Sequence, residues 1–329
     1  MFTRSSWLHL RIHFSYFLLP IFLFSLSVSP NFNGPRLFWV FFILHILLYP
    51  ASNAYNSYFD KDEKSIGGLK NPPPVKKGLY FLAIVFDFLA VVLGYIKINT
   101  AFAIMLLFYG LVSKAYSHPT VRLKKYAVTS WVITGLFQGL FTFIMCYIGV
   151  NDFALENIWK WSVFLPGLLT SAMLWANYPL TQIYQHTEDL KRGDVTLSAK
   201  LGIVGTFYFV MAFFTIAIGG LLVYLNITFG GQYPSIFLIA ILPVLIYFSY
   251  WFLLIMKDQK AADYHHTMWL TFISATCLNA FLIYLFLETT QVLQYTSHRC
   301  CATPHLRVSQ EYLFIFPFFL DDPRLLRRR

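Results

Sequence analysis

Two short stretches hold most of the side chains able to do chemistry. Residues 51–77 read ASNAYNSYFDKDEKSIGGLKNPPPVKK and carry Asn56, Asp60, Asp62 and Glu63. Residues 182–202 read QIYQHTEDLKRGDVTLSAKLG and carry Gln185, Glu188, Asp189 and Arg192. On a helix, Asn56, Asp60 and Glu63 stand at i, i+4 and i+7 and share a face, while Asp62 points away or sits where the helix unravels. Gln185, Glu188, Asp189 and Arg192 stand at i, i+3, i+4 and i+7, again on one face. Each face offers about two carboxylates and an amide, all oxygen donors. Such donors suit a hard cation such as Mg²⁺, which takes one or two carboxylates and shares the rest of its shell with substrate phosphates. No Cys or His cluster stands nearby, which disfavours zinc and copper; His186 is a lone surface residue.

The competing account makes these acids ordinary loop charges paired with Lys61, Lys64, Lys191 and Arg192. One cluster alone would favour it. Two clusters, each closing an apolar run and each with an amide one turn before its acids, favour a site, because ionisable groups at membrane helices are costly to keep without function.

The elements that must position these residues are membrane helices. The 329-residue chain is 57% hydrophobic and 12% charged, half the charge of a soluble domain at about 25%. A helix needs roughly 20 apolar residues to span a bilayer. Nine candidate spans fall near 7–28, 36–56, 78–96, 99–116, 127–149, 157–183, 203–226, 236–256 and 268–288. The first is read as a retained span, since no cleavage site precedes it. Pro20 predicts a kink in it. Only Lys97 to Thr100 separate the third and fourth spans, which predicts a tight helical hairpin. The formal charge of +10 is not a nucleic-acid footprint. With the N-terminus in the cytoplasm, 16 Lys and Arg before Glu288 fall on the cytoplasmic side, and only Arg36, Lys97 and Lys160 on the other, as the positive-inside rule demands. Both acidic clusters then open on the cytoplasmic face of a multi-pass protein, in the inner or plasma membrane if the cell is bacterial.

Gly67, Gly68 and the Pro72–Pro74 run make the segment after Glu63 a loop. A second, basic loop holds Lys114, Tyr116, Arg122, Lys124 and Lys125, whose lysines suit either lipid head groups or a diphosphate. The four cysteines, Cys146, Cys277, Cys300 and Cys301, give no disulfide framework. The sequence divides into a membrane domain, 1–290, and an atypical basic tail, 291–329, read as a disordered extension or a divergent end, to which no function is assigned.

With these motifs in place, the chain resembles the UbiA superfamily of intramembrane prenyltransferases. NSYFDKDEK resembles the family's N-x-x-x-D-x-x-x-D signature at Asn56 and Asp60, but Lys64 stands at the third acidic position, with Asp62 and Glu63 beside it. GDVTLSAKLG resembles the family's G-x-x-T-L-x-x-x-x-G and fixes the second register, with Gln185 and Asp189 at the two Asp positions and Glu188 beside them. YSHPTVRLKK resembles the basic loop after the fourth helix, where Lys124 or Lys125 would meet the diphosphate. The resemblance covers residues 8–288. It implies an all-α bundle of about nine transmembrane helices around a central cavity, with a cytoplasmic polar cap.

The implied activity is transfer of a prenyl group from an allylic isoprenoid diphosphate to a hydrophobic acceptor, most often an aromatic quinone precursor, with two Mg²⁺ bridging the diphosphate. The implied catalytic residues are Asp60, Asp189 and Lys124. Asn56, Lys64, Tyr116, Lys125 and Arg192 would hold the substrate, and Asn56, Asp60, Asp62, Glu63, Gln185, Glu188 and Asp189 the metal. Tyr55, Tyr58, Tyr116, Trp175 and Tyr184 stand near enough to the motifs to face an allylic cation. The other readings are a tetrapyrrole or lipid-backbone prenyltransferase, a terpene cyclase, or a transporter or scaffold. A transporter places its polar residues near the bilayer midplane, whereas here they cluster at helix ends.

Overall fold

The computed structural model describes residues 3–31 and 33–290. The tail 291–329 therefore lies outside the described residues, as do positions 1, 2 and 32. Among the described residues, eight helices are long and apolar enough to cross a membrane. They are α1 Arg4–Ser27, α2 Gly34–Asp60, α3 Gly78–Lys97, α4 Thr100–Ser117, α5 Ala127–Asn151, α8 Leu197–Thr228, α9 Tyr233–Lys257 and α10 Tyr264–Thr289. Between α5 and α8 lie α6, Trp161–Gln182, and a short helix α7, His186–Arg192. The sixth expected span is thus present as a 22-residue helix. It falls outside the apolar set because it faces inward and carries Thr170, Ser171, Asn177 and Thr181, which an interior helix can hold where a lipid-facing one cannot.

Two helices carry a π turn, each for a local reason. In α2 a π turn at Ile43–Leu48 precedes Pro50. Proline cannot donate to the carbonyl four residues back and collides with it, and a wider turn relieves both. In α5 a π turn at Leu136–Phe141 faces α6. The Ser171 hydroxyl enters it, donating to the Gly135 carbonyl at 2.8 Å and accepting from the Leu140 amide at 2.8 Å. A side chain at Gly139 would lie 2.5 Å from the Ser171 Cα, so only glycine lets α5 and α6 approach this closely. Pro179 in α6 frees the Trp175 carbonyl, which accepts from the Trp131 indole at 2.8 Å.

The α3–α4 hairpin turns through Ile98 and Asn99, as the spacing predicts. Asn99 caps α4 by accepting from the Phe102 amide at 2.8 Å. The hairpin is the most peripheral part of the first half, yet Asp87 of α3 and Lys114 of α4 form a partly buried ion pair within it. Lys114 also stands 5.2 Å from the Tyr55 ring of α2. Asp87 is an intramembrane acid that the sequence pattern did not single out. The N-terminal helix is also broken, at Leu10 and Arg11. Arg11, in a left-handed conformation with φ 47°, is buried and donates to the Gly67 and Asn53 carbonyls. It is an internal tie and not a flanking surface charge.

The remaining helices enclose a cavity of about 490 Å³, lined by residues of α1, α2, α4, α5, α6, α8, α9 and α10. Its walls are mainly Phe, Leu, Ile and Met, and its polar end is reached at Ser52, Asn53, Asn177, Tyr178 and Thr181. Asn53 lies two helical turns, about 10 Å at 1.5 Å per residue, before Asp60.

Candidate active site

α2 ends at Asp60, because Lys61 turns left-handed at φ 52°. Asn56 and Asp60 are therefore on the last turns of a membrane helix, and Asp62 and Glu63 lie beyond it. This splits the expected face: Asn56 and Asp60 share a partner, whereas Glu63 is exposed. The shared partner is Lys124, on a single 3₁₀ turn between α4 and α5. Its ammonium donates to Asn56 Oδ1 at 3.0 Å and to both carboxylate oxygens of Asp60. Asn56 Oδ1 also accepts from Ser117 of α4 at 2.8 Å. Lys124 is buried against these acids, whereas Lys125 is exposed. The Lys125 backbone carbonyl instead accepts from the Val195 amide at 3.1 Å, tying the basic loop to the second acidic segment.

The second cluster is built differently. α6 stops at Gln182, and the chain restarts as α7 with Gln185 as its N-cap residue. Asp189 is buried on α7, and Glu188 pairs loosely with Lys64 at 3.6 Å and Lys191 at 3.5 Å. Gln185 turns aside, donating to the Ser65 carbonyl at 3.2 Å. Gly193, at φ 77°, closes α7 in the left-handed conformation that glycine adopts without penalty. Asp194 then folds back, its amide donating to the Asp189 carbonyl at 2.9 Å.

Arg192 joins the two clusters. Its guanidinium donates to Asp62 from the first and, at 2.6 Å, to Asp189 of the second. Arg122, in a left-handed conformation at the start of the 3₁₀ turn, grips Asp194 with two bonds of 2.7 and 2.8 Å and reaches Asp60 at 3.5 Å. The result is a knot of four buried aspartates, Asp60, Asp62, Asp189 and Asp194, held by Lys124, Arg122 and Arg192. Four negative charges face three positive ones. Burial pushes the Asp189 carboxyl up to about 6, against the opposing pull of Arg192. Burial and the neighbouring Asp60 charge also raise Asp62. The Asp194 hydrogen bonds raise Arg122 and keep its charge fixed.

Asp194 and the role of Arg122 were not anticipated. The signal was present, since Asp194 sits inside the GDVTLSAKLG motif, but a motif used only to set register conceals its own acid. Tyr116 bonds the hydroxyl of Tyr178 on α6, and Tyr178 lines the cavity. The aromatic residues expected to face a cation, Tyr55, Tyr58, Tyr116, Trp175 and Tyr184, lie outside the cavity wall, which takes its tyrosines from Tyr49, Tyr109 and Tyr178. The expected aromatics are near the motifs in sequence but point between helices, as Tyr55 and Tyr58 do against Tyr80.

Among the described residues, no three His, Cys, Asp or Glu side chains form a ready-made cage for a metal. The donors nonetheless fit a hard divalent cation. Asp62, just past the end of α2, and Asp189, on α7, both pair with Arg192, and Asn56 and Asp60 share a second cation in Lys124. A site of this kind has carboxylates in excess and needs substrate oxygens to complete a shell, as magnesium sites do.

Comparison with known proteins agrees with this architecture. A sequence model of the UbiA prenyltransferase family matches residues 17–274. A UbiA homologue from Archaeoglobus fulgidus bound to DMAPP and Mg²⁺ superposes with a TM-score of 0.63 at 15% identity, over 86% of this chain and 98% of that one. The same homologue bound to GPP and Mg²⁺ gives 0.62 at 15% identity, over 86% and 99%. A structure described for digeranylgeranylglyceryl phosphate synthase in membranes gives 0.56 at 19% identity, over 86% and 98%. No curated protein matches. At these identities the structural likenesses establish the fold alone.

Proposed function

The chain belongs to the UbiA prenyltransferase family, and on that premise we propose that it transfers a prenyl group from an allylic isoprenoid diphosphate to a lipid-soluble acceptor, with an aromatic ring of quinone-precursor type as the preferred class. The observation that carries this reading is a four-aspartate, three-cation knot two turns of α2 beyond the polar end of an apolar cavity of about 490 Å³. A charged head group suits the knot and an isoprenoid tail suits the cavity. Two-ended sites of this size match small-ligand pockets of about 300–1,000 Å³.

Asn56, Asp60 and Asp62 on one side, with Glu188 and Asp189 on the other, are the residues that would hold magnesium, two ions in our reading. When bound, the metal neutralises charge on the leaving diphosphate. The chain's own cations serve the same end. Lys124, Arg122 and Arg192 are held by carboxylates in the free protein, and become free to turn to diphosphate oxygens once those carboxylates take another cation. Their pairing in the free protein keeps them in place beforehand, which is the preorganisation that makes electrostatic stabilisation effective. The prenyl C1–O bond breaks with its electron pair on diphosphate. The acceptor carbon then bonds to C1, and its proton passes to the released diphosphate. Lys64 and Gln185, which stand where the family resemblance expects acids, sit at the rim and contribute little to the charge of the knot. The cap faces the cytoplasm in this reading, on the strength of the Lys and Arg asymmetry.

The test is Mg²⁺-dependent release of diphosphate from farnesyl and geranylgeranyl diphosphate by purified protein in detergent, with a panel of aromatic acceptors and with none. Release that requires an acceptor is expected. Release without one identifies a cyclase, and no release with any pair overturns the reading.

A further inference from the structure

The cavity wall carries a polar feature that the diphosphate chemistry does not use. Three carboxamides, Asn53 of α2, Gln138 of α5 and Asn177 of α6, line it, and none has a hydrogen-bond partner for its side chain among the described residues. In an apolar setting an unpaired amide is costly, and three from three helices around one space call for a common partner.

Gln138 is the most deliberately placed. It sits in the π turn Leu136–Phe141, a distortion often found where a helix serves a site. Ser171 satisfies the backbone groups that the π turn frees, at 2.8 Å on each side, and Gly139 admits the Ser171 backbone against the turn. The distortion is therefore locked from α6, and Gln138 meets the cavity from a fixed backbone. Asn177 comes from the same helix, α6, next to Tyr178. Every side chain lining the cavity is apolar or neutral. Lys124 is taken by Asn56 and Asp60, and Arg11 donates to the Gly67 and Asn53 carbonyls with the charges of Asp62 and Asp60 acting on it.

Resting on the prenyl-transfer reading, we propose that Gln138 and Asn177 form the recognition site for the acceptor, and that the acceptor is an uncharged, hydroxyl-bearing aromatic rather than a carboxylated or phosphorylated one. A carboxamide both donates and accepts, so a phenolic hydroxyl satisfies it in either direction. A carboxylate in the same place would be buried without a counter-ion, which is far more costly than a neutral group.

The experiment uses the full chain in lipid nanodiscs and two matched probes, 1-naphthol and 1-hydroxy-2-naphthoate. Binding is measured by calorimetry against empty nanodiscs. Wild-type protein should bind 1-naphthol at least about tenfold more tightly than the carboxylate, a floor well below the cost of burying an unpaired charge. Gln138→Leu, close in size and apolar, should weaken 1-naphthol by about tenfold, the equivalent of one lost buried hydrogen bond. It should weaken Mg²⁺-dependent binding of farnesyl diphosphate, whose head group lies at the knot, far less than it weakens 1-naphthol, and Asn177→Leu should act in the same direction. Equal or tighter binding of the carboxylate overturns the proposal whatever the variants do. So does unchanged 1-naphthol affinity in both variants, which would mean that the amides serve only cavity water. Binding in the expected pattern by a protein that releases no diphosphate keeps the subsite and removes the transferase reading, so the two failures are distinct.

Discussion

The two acidic clusters resemble each other in sequence but are built on different principles. The first is the last turns of a membrane helix. Asn56 and Asp60 are one turn apart on α2, and a single buried lysine spans both. The second is assembled after its helix has already stopped. Its acids come from a separate seven-residue helix and the turn behind it, and Arg192 at the end of that helix, with Arg122 from a neighbouring segment, holds them in position. The first cluster is thus stiff by virtue of its helix, and the second by virtue of its ion pairs. A site that must exchange protein cations for metal and substrate has reason to keep one wall fixed and the other held by contacts that can rearrange.

The sharpest way to break this comparison is at Asp60. Asp60→Asn keeps the size but removes the charge that faces Lys124, and kcat should fall by about 10²–10³-fold, the scale of losing one preorganised electrostatic group. Asp189→Asn should do the same to a smaller degree, because Asp62 and Asp194 remain beside it. Diphosphate release at saturating substrate measures both, and an equal loss in the two variants would erase the distinction between stiff and adaptable walls.

Asp194 comes next in expected effect. It touches Arg122 and not the substrate in our reading, so it is a positioning residue. Asp194→Asn should lower kcat by about tenfold, the scale of one charge-assisted hydrogen bond, and Asp194→Glu should restore much of it. A merely structural role would lower the melting temperature in both variants without that recovery.

Acidity should separate the clusters as well. The Asp189 carboxyl is pushed up to about 6 from its ordinary 3.8 by burial. Between those values the folded protein keeps a proton that the unfolded chain has released, so this group's contribution to stability falls as pH rises through that window. Magnesium binds the carboxylate form and should recover the loss. The thermal shift on adding Mg²⁺ with farnesyl diphosphate should therefore grow from about pH 5 to about pH 7, following linkage between proton release and ligand binding. Asp189→Asn should flatten that growth.

The smallest effect is expected where the family pattern and this chain differ. Gln185→Asp replaces a donor to the Ser65 carbonyl with a carboxylate that repels it. The cost should be about 1 kcal/mol of stability, typical of one lost hydrogen bond, with turnover changed only a few-fold. A large gain in turnover would show that position 185 belongs to the metal site after all.

Much of this was readable from residue order. The apolar runs fixed the helices because a bilayer offers backbone groups no partner outside a helix, and Lys97 to Thr100 left room for nothing but a tight turn. Asn56 and Asp60 were legible as a pair because a helix enforces its period wherever it remains a helix. The same rule failed at Glu63, one turn later, because Lys61 had already left the helix. It also said nothing of Asp194, whose burial depends on Arg122, 72 residues away in the chain. Whether Lys124 or Lys125 served the site was equally open, since adjacent residues differ only in direction. Periodicity is a local property, and it determined which residues were able to act together. Ion pairs, a π turn locked from a neighbouring helix and the end of a cavity are long-range contacts, and only the tertiary structure decided which residues do.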